Sequence, residues 1–490
     1  MLMAGIRFFN NNYKVIMNFK FIIVATILVI CPYVLFAQKV EISQELDARA
    51  DEYFQVALKI WEWAELGYQE HRSSSLLQET LTNEGFSIES GVAGIPTAFI
   101  AEYGSGSPVI GMLAEFDALP GLSQKILPVR EPLVEEGTGH GCGHHLFGTA
   151  SVAAAISIKD WLRNSGHSGT IRVYGTPAEE GGAGKVYLVR EGFFEDVDAV
   201  LHWHPGDRND ASPKTSLANR SAKFRFYGRS SHASSAPEQG RSALDGIEAM
   251  NMMTNLLREH VPQGTRIHYV ITRGGLAPNV VPDYAEVYYY VRHPYAATLE
   301  EIFPRVVKAA EGAALGTGTT MEYEIIHGLH SVLPNHVLAR AVLGNMETVG
   351  GIEYDEQEQI FAEEIRKTLD QNSIPLGSQS TIQPFTPGRS GGSTDVGDVS
   401  YMAPTVGFIA ATWVPGTGAH SWQAVSAGGM SIGKKGLVMA SKVLAMTAVD
   451  LVLDEDLLYA ATQEFEERRG SDFEYHPLLG DRPPPLDYRK

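Results

Sequence analysis

Cysteine is almost missing from this chain. Of its 490 residues only Cys31 and Cys142 carry a thiol, so a disulfide framework is excluded. Runs of Lys and Arg are missing as well. With 58 acidic against 39 basic residues the net charge is −19, which repels nucleic acid and anionic membrane surfaces. No internal repeat, P-loop or dinucleotide fingerprint occurs, so phosphate-cradling chemistry has no motif to rest on. What is present is ordinary globular composition, 44% apolar and 20% charged, in a chain long enough for one large domain and a smaller one.

One apolar run stands apart. Lys14 and Lys20 precede Phe21 to Ala37, and a polar, acidic segment begins at Gln38. That is the layout of a secretory signal peptide over 1–37, with Met17 as an alternative start. Pro32 within the run and the small residue at its end favour cleavage over a retained anchor. Ile30 before Cys31 is too bulky for a lipoprotein cleavage site. The expectation is a periplasmic or secreted protein without stable membrane association, in which Cys142 is the sole thiol and needs a purpose other than pairing.

Downstream, strands and helices alternate. A helical pattern from Val40 to about Leu81 leads to a buried strand, Pro108 to Ala114, ending in Glu115-Phe116-Asp117. A glycine-rich loop around Cys142 opens onto an apolar helix from Gly148. The strand Thr170 to Gly175 runs into Glu179-Glu180, and Ala199 to His202 ends in His202-Trp203-His204-Pro205. This alternation predicts an α/β fold, a mainly parallel sheet flanked by helices, with the working residues at the carboxyl ends of strands. Between about 207 and 330 the order becomes βαββαβ, the ferredoxin-like unit. The predicted organisation is a catalytic domain in two parts, 38–206 and 331–456, an inserted α+β lid at 207–330, and a C-terminal surface extension at 457–490.

The chemistry-bearing residues gather at those strand ends. Cys142 and His144, spaced by glycine, offer a thiolate and an imidazole as a metal bite; alone, a buried free cysteine beside surface histidines would account for them equally well. Glu179 and Glu180, read as extended neighbours, point to opposite sides, so one carboxylate can ligate a metal while the other takes a proton. His202 and His420 each follow a buried strand. His204 is left as a spare imidazole at the edge. Asp117 reads as a turn cap ahead of a residue that orients a ligand, and Asp395 and Asp398 as turn formers ahead of substrate contacts.

His140-Gly-Cys-Gly-His-His, Thr176-Pro-Ala-Glu-Glu-Gly-Gly, Leu201-His-Trp-His-Pro, Gly228-Arg-Ser-Ser-His-Ala and Gly275-Leu-Ala-Pro-Asn-Val-Val-Pro together resemble the metal-dependent amidohydrolases. That family includes indole-acetyl-amino-acid hydrolases, hippurate hydrolases and carboxypeptidase-like aminoacylases. Gly111 to Ser123 and Gly392-Ser-Thr-Asp-Val-Gly-Asp-Val-Ser are most similar to the B-type chains of aminobenzoyl-glutamate hydrolase. The resemblance covers about residues 45 to 450 and implies a zinc-exopeptidase-like sheet with a lid that also dimerises. It further implies two divalent ions, Zn or Mn, held by Cys142, His144, Glu180, His202 and His420. Glu179 is the implied general base and His232 an oxyanion donor, often reaching the neighbouring protomer's site. His145 departs from the family pattern, which has aspartate or asparagine there. Arg292 and Asn279 are candidates for holding a substrate carboxylate.

The function expected is metal-dependent hydrolysis of the amide bond of an N-acyl or N-aroyl amino acid. Two alternatives are a Cys142-dependent hydrolase and a weakly catalytic partner chain or binding protein that needs a related second chain.

Overall fold

The computed structural model describes residues 37–370 and 374–489. The expected leader therefore lies, except for Ala37, outside the described residues. The helical pattern after Val40 is three helices, 37–48, Ala50–Trp63 and His71–Asn83. The last two are separated where Ala64 and Tyr68 take left-handed backbone, φ 41° and 64°.

The main sheet has six strands: β1 (Ser87–Ser90), β2 (Phe99–Ser105), β3 (Val109–Ala114), β4 (Gly169–Gly175), β5 (Ala199–Gly206) and β12 (Thr405–Ala411). Their order across the sheet is β1-β2-β4-β3-β5-β12. The four strands β4, β3, β5 and β12 are mutually parallel, and β1 and β2 close one edge with antiparallel pairing. Near-continuous apolar runs such as Val109 to Ala114 suit strands buried on both faces. One face is covered by the helix His144–Ser165 packed against the helix Ser431–Leu453. The second of these is long and apolar enough to cross a membrane, yet most of it is buried inside the fold. Val152, Ile156, Leu437, Val443 and Leu444 belong to this core; each large apolar side chain buried there stabilises the fold by roughly 1.5–3 kcal/mol.

The chain leaves this layer after β5 and a short β6 (Lys214–Thr215), which pairs with β11 (Gly388–Arg389). It then builds a second sheet from β7 (Ala218–Tyr227), β8 (Arg266–Arg273), β9 (Tyr284–His293) and β10 (Thr320–Leu329). The strand order is β10-β7-β9-β8, fully antiparallel. The helices Ala243–Leu257 and Ala296–Thr317 cover one face and close a separate core around Phe224, Val287 and Val306. This is the ferredoxin-like order inserted into the α/β layer.

Beyond the helix Glu455–Arg469 the chain is not a loose surface extension. Leu478 and Leu479 are fully and almost fully buried, Leu478 in the core of the inserted sheet and Leu479 in the main one. The Pro- and Gly-rich composition of this stretch hides two core residues that carry no helical or strand period.

Candidate metal centre

Because β3, β4, β5 and β12 are parallel, their carboxyl ends open on one edge of the sheet. Glu115 and Asp117 follow β3, Glu179 and Glu180 follow β4, His202 and His204 lie on β5, and His420 follows β12. Cys142 and His144 arrive from the start of the long helix. That helix begins at His144, four residues before the expected Gly148, with Gly143 ahead of it at φ 76°. A side chain at Gly143 would meet Pro205 at 2.6 Å, so the close seating of the thiol and imidazole requires glycine there.

Three groups of side chains converge, each with ligand atoms within 4.8 Å of one another: Cys142, His144 and His204; Cys142, Glu180 and His420; and Glu115, His144 and Glu179. Cys142 Sγ lies 3.4 Å from His204 Nε2. His420 Nε2 lies 3.0 Å from Glu180 Oε1. His420 itself has φ 59°, and its N–H donates to the Gly141 carbonyl at 2.8 Å. A left-handed non-glycine residue is costly and persists where the surroundings fix it.

His144 is held from both ends. Its Nδ1–H donates to Asp117 Oδ1 at 2.8 Å, and its Nε2 lies 3.1 Å from Glu115 Oε2. Asp117 is therefore no turn cap. Asp395, read from sequence as a turn former, pairs with the fully buried Lys185 at 2.7 Å, and Lys185 pairs also with Glu115 at 2.6 Å. Asp398, read the same way, is buried too and accepts the main-chain N–H of His330 at 3.0 Å. Nothing in the sequence marks Lys185, which sits in the helix Gly184–Arg190 and looks like any surface lysine.

The glutamate pair is not extended. Ala178 takes φ 58°, and Gly181 and Gly182 donate back to the Glu179 and Ala178 carbonyls at 2.7 and 2.9 Å. The two carboxylates nevertheless separate, one into each of two different groups, because the turn splays them. Burial first, then repulsion from Glu115 and Glu180, raises the Glu179 carboxyl well above its ordinary range. Glu180 moves the other way, since its close pairing with His420 and the charge of His144 outweigh burial.

His202 is not among the three groups. It lies deeper on β5, beside Gly407 of β12 in the parallel register, where a Cβ would stand 2.1 Å from its ring. Side chains two apart on a strand share a face, so His204, one step nearer the open edge, joins Cys142 and His144 where sequence had put His202. Arg292 lines the same cavity of about 770 Å³ as Glu179, Glu180 and His420. His232 and Asn279 do not line it. They sit together on the outer end of the inserted domain, where His232 bridges to Val280 and both are exposed.

The donor set suits divalent cations. Glu115 Oε2, His144 Nε2 and Glu180 Oε1 are buried and make no hydrogen bond among the described residues. A ligating histidine typically donates its other ring N–H to a carboxylate, as His144 does to Asp117. Burial first, then Glu180, pushes the Cys142 thiol above its usual range. That is the reverse of an activated nucleophile, whereas a coordinated cation deprotonates such a thiol.

Residues 111–424 match the sequence profile of peptidase family M20/M25/M40. The chain belongs to this family. It is 41% identical over 453 residues to one of the two p-aminobenzoyl-glutamate hydrolase chains of Escherichia coli (strain K12), the B-type one, covering 87% of this chain and 94% of that one. It is 30% identical over 439 residues to the Xaa-Arg dipeptidase of Mus musculus, covering 86% and 91%. Among solved structures, the dinuclear metal-binding M20 peptidase YXEP of Bacillus subtilis superposes with a TM-score of 0.58 at 20% identity, over 83% of this chain and 99% of that one. The aminobenzoyl-glutamate utilization protein of Klebsiella pneumoniae gives 0.57 at 17% identity, over 83% and 97%. Both structures share the fold. This M20 chain is a metal-dependent amidohydrolase of the carboxypeptidase and aminoacylase type.

Proposed function

We propose that this chain hydrolyses the amide bond of an N-acyl or N-aroyl amino acid, of the aminobenzoyl-glutamate or dipeptide kind, with two divalent ions held by Cys142, His144, Glu180, His204 and His420. The observation that carries the reading is the sharing of Cys142 between two groups, one with His144 and His204, the other with Glu180 and His420. Cys142 is the donor common to both groups, so its thiolate would help to hold either ion. Thiolate and imidazole donors suit zinc, and the carboxylate also admits manganese. Bound there, the ions polarise a carbonyl and acidify water.

The protein's own part is positional. Glu179 sits beside this ligand set, in the group with Glu115 and His144. Its carboxylate is placed to take a proton from attacking water and return it to the leaving amine. Lys185, paired with Glu115 and Asp395, fixes the floor beneath it. Arg292 offers a guanidinium to a substrate carboxylate from the lid side of the cavity.

A homodimer through the inserted domain fits the exposed edge strand β8, where Tyr269, Val270 and Ile271 are 36%, 56% and 39% exposed. An open apolar edge of this kind calls for a partner strand. His232 belongs to the same domain, with its Nδ1 accepting the main-chain N–H groups of Ser234 and Ser235. Its Nε2–H is thereby left to donate, into a neighbouring protomer's site. The naming of two Escherichia coli relatives as paired chains of one hydrolase supplies the alternative that the partner is a related chain. Lys14, Lys20 and the run to Ala37 support export from the cytoplasm, with a mature chain beginning near Gln38.

The test is a panel of N-acyl and N-aroyl amino acids and dipeptides, offered to the purified single chain loaded with zinc or manganese. Release of free amino acid from one of them is expected. No release from any, with the metal bound, would favour a requirement for a related second chain.

A further inference from the structure

The stretch 470–489 runs from the inserted domain across to the metal centre. Leu478 is buried in the core of the inserted sheet. Arg482 donates to the Ile325 and Ile326 carbonyls on β10, both at 2.7 Å. Tyr488 then packs edge-on against Tyr68 of the main domain, with ring centroids 5.6 Å apart. The next residue, Arg489, donates from Nη2 to the main-chain carbonyl of Glu180 at 2.8 Å and lines the cavity with Glu179, Glu180 and His420.

Two guanidiniums therefore face one cavity. Arg292 reaches it from β9, with its Nε buried and unpartnered and its Nη1 3.4 Å from Ser393 Oγ. Arg489 reaches it from the strap, stacked over Tyr488 at 5.1 Å. Neither has a carboxylate within ion-pair distance among the described residues, while Lys214, another cation on the wall, is already paired with Asp210. A half-buried guanidinium without a counter-charge is a receptor for an anion, and its planar fork matches a carboxylate.

We propose that Arg489 is a specificity-determining residue that receives a second substrate carboxylate, so that the preferred substrates are N-acylated acidic amino acids. The proposal rests on the reading of this cavity as the site of amide hydrolysis. Arg292 takes one carboxylate and Arg489 the other. The strap that carries Arg489 is tied to both domains, which holds the guanidinium in place before substrate arrives and lowers the ordering cost of binding.

The experiment compares kcat/KM for N-benzoyl-glutamate, N-benzoyl-glutamine and N-benzoyl-arginine in the metal-loaded wild type, Arg489→Gln and Arg489→Lys. The wild type is expected to favour the glutamate compound over the glutamine one by about 10- to 100-fold, the range of a charge-assisted pair. Arg489→Gln should lose that preference, chiefly through KM, and Arg489→Lys should recover part of it. An equal loss on all three compounds would make Arg489 only an anchor for the strap and overturn the proposal. So would a wild-type preference for glutamine or arginine, or a preference that survives in Arg489→Gln. Turnover of none of the three, nor of any other N-acyl amino acid, would count against hydrolysis by the single chain, a result separate from any effect of Arg489.

Discussion

Asp117 grips His144. Its Oδ1 accepts the His144 Nδ1–H at 2.8 Å, while its Oδ2 accepts the Glu180 main-chain N–H at 2.9 Å. One carboxylate just past the end of β3 thus sets the ring orientation of one ligand and the backbone position of another. Asp117→Asn should keep the fold and lower zinc or manganese affinity by about 10- to 100-fold, the usual effect of removing such a partner. Chelator competition, with circular dichroism as the control for folding, measures this; unchanged affinity would mean that His144 is oriented by Glu115 alone.

The two histidines of β5 separate by their distance from the open edge. His204→Ala should lower bound metal per chain, and His202→Ala should leave it close to wild type, since His202 packs against Gly407 beyond the three groups. Metal content after gel filtration decides between them. A loss confined to His202→Ala would restore the assignment made from sequence.

Asp398 should make stability fall as pH rises through the weakly acid range. Its carboxyl is fully buried, and burial raises it from 3.8 to about 6, although Tyr475 donates to it at 2.9 Å. Between those values the folded chain keeps a proton that the unfolded chain has released, so raising the pH from about 4 to 6 removes stability. The effect approaches roughly 3 kcal/mol above pH 6, at about 1.4 kcal/mol per unit. Asp398→Asn abolishes this contribution. Apparent Tm of the variant, relative to wild type, should therefore rise between about pH 4.5 and 7; parallel curves would show that Asp398 ionises alike in both states.

Much of this site is legible in the sequence because its residues stand at glycine-flanked ends of buried strands. The glutamate pair and His420 carry that signature, Cys142 and His144 stand between glycines at the start of a helix, and the structure brings them all within reach of one another. His204 could not be told from His202, since residues two apart on a strand share a face and only depth in the sheet distinguishes them. The ion network of Lys185, Glu115 and Asp395 depends on three segments meeting, which no local pattern encodes. Arg489 was hidden for a similar reason: its position is set by Leu478 and Arg482 docking on a domain more than a hundred residues earlier in the chain.

His232 lies away from the cavity in its own chain, so the proposed oxyanion role requires a second one. His232→Ala and Glu179→Gln chains should each be nearly inactive alone and regain part of the activity when mixed under conditions that exchange protomers. A mixed dimer holds one site with Glu179 and a partner's imidazole. No recovery despite demonstrated exchange would confine His232 to its own chain or to no catalytic part.

The most direct measurement is hydrolysis of the best N-acyl amino acid by three preparations of the single chain: chelated, reloaded with zinc or manganese, and reloaded Glu179→Gln. Chelation should abolish turnover and reloading restore it. The reloaded Glu179→Gln protein should bind metal normally and turn over about 10² to 10⁴ times more slowly. Wild-type rates from the chelated protein, or from metal-loaded Glu179→Gln, would contradict a metal-dependent mechanism with Glu179 as its base.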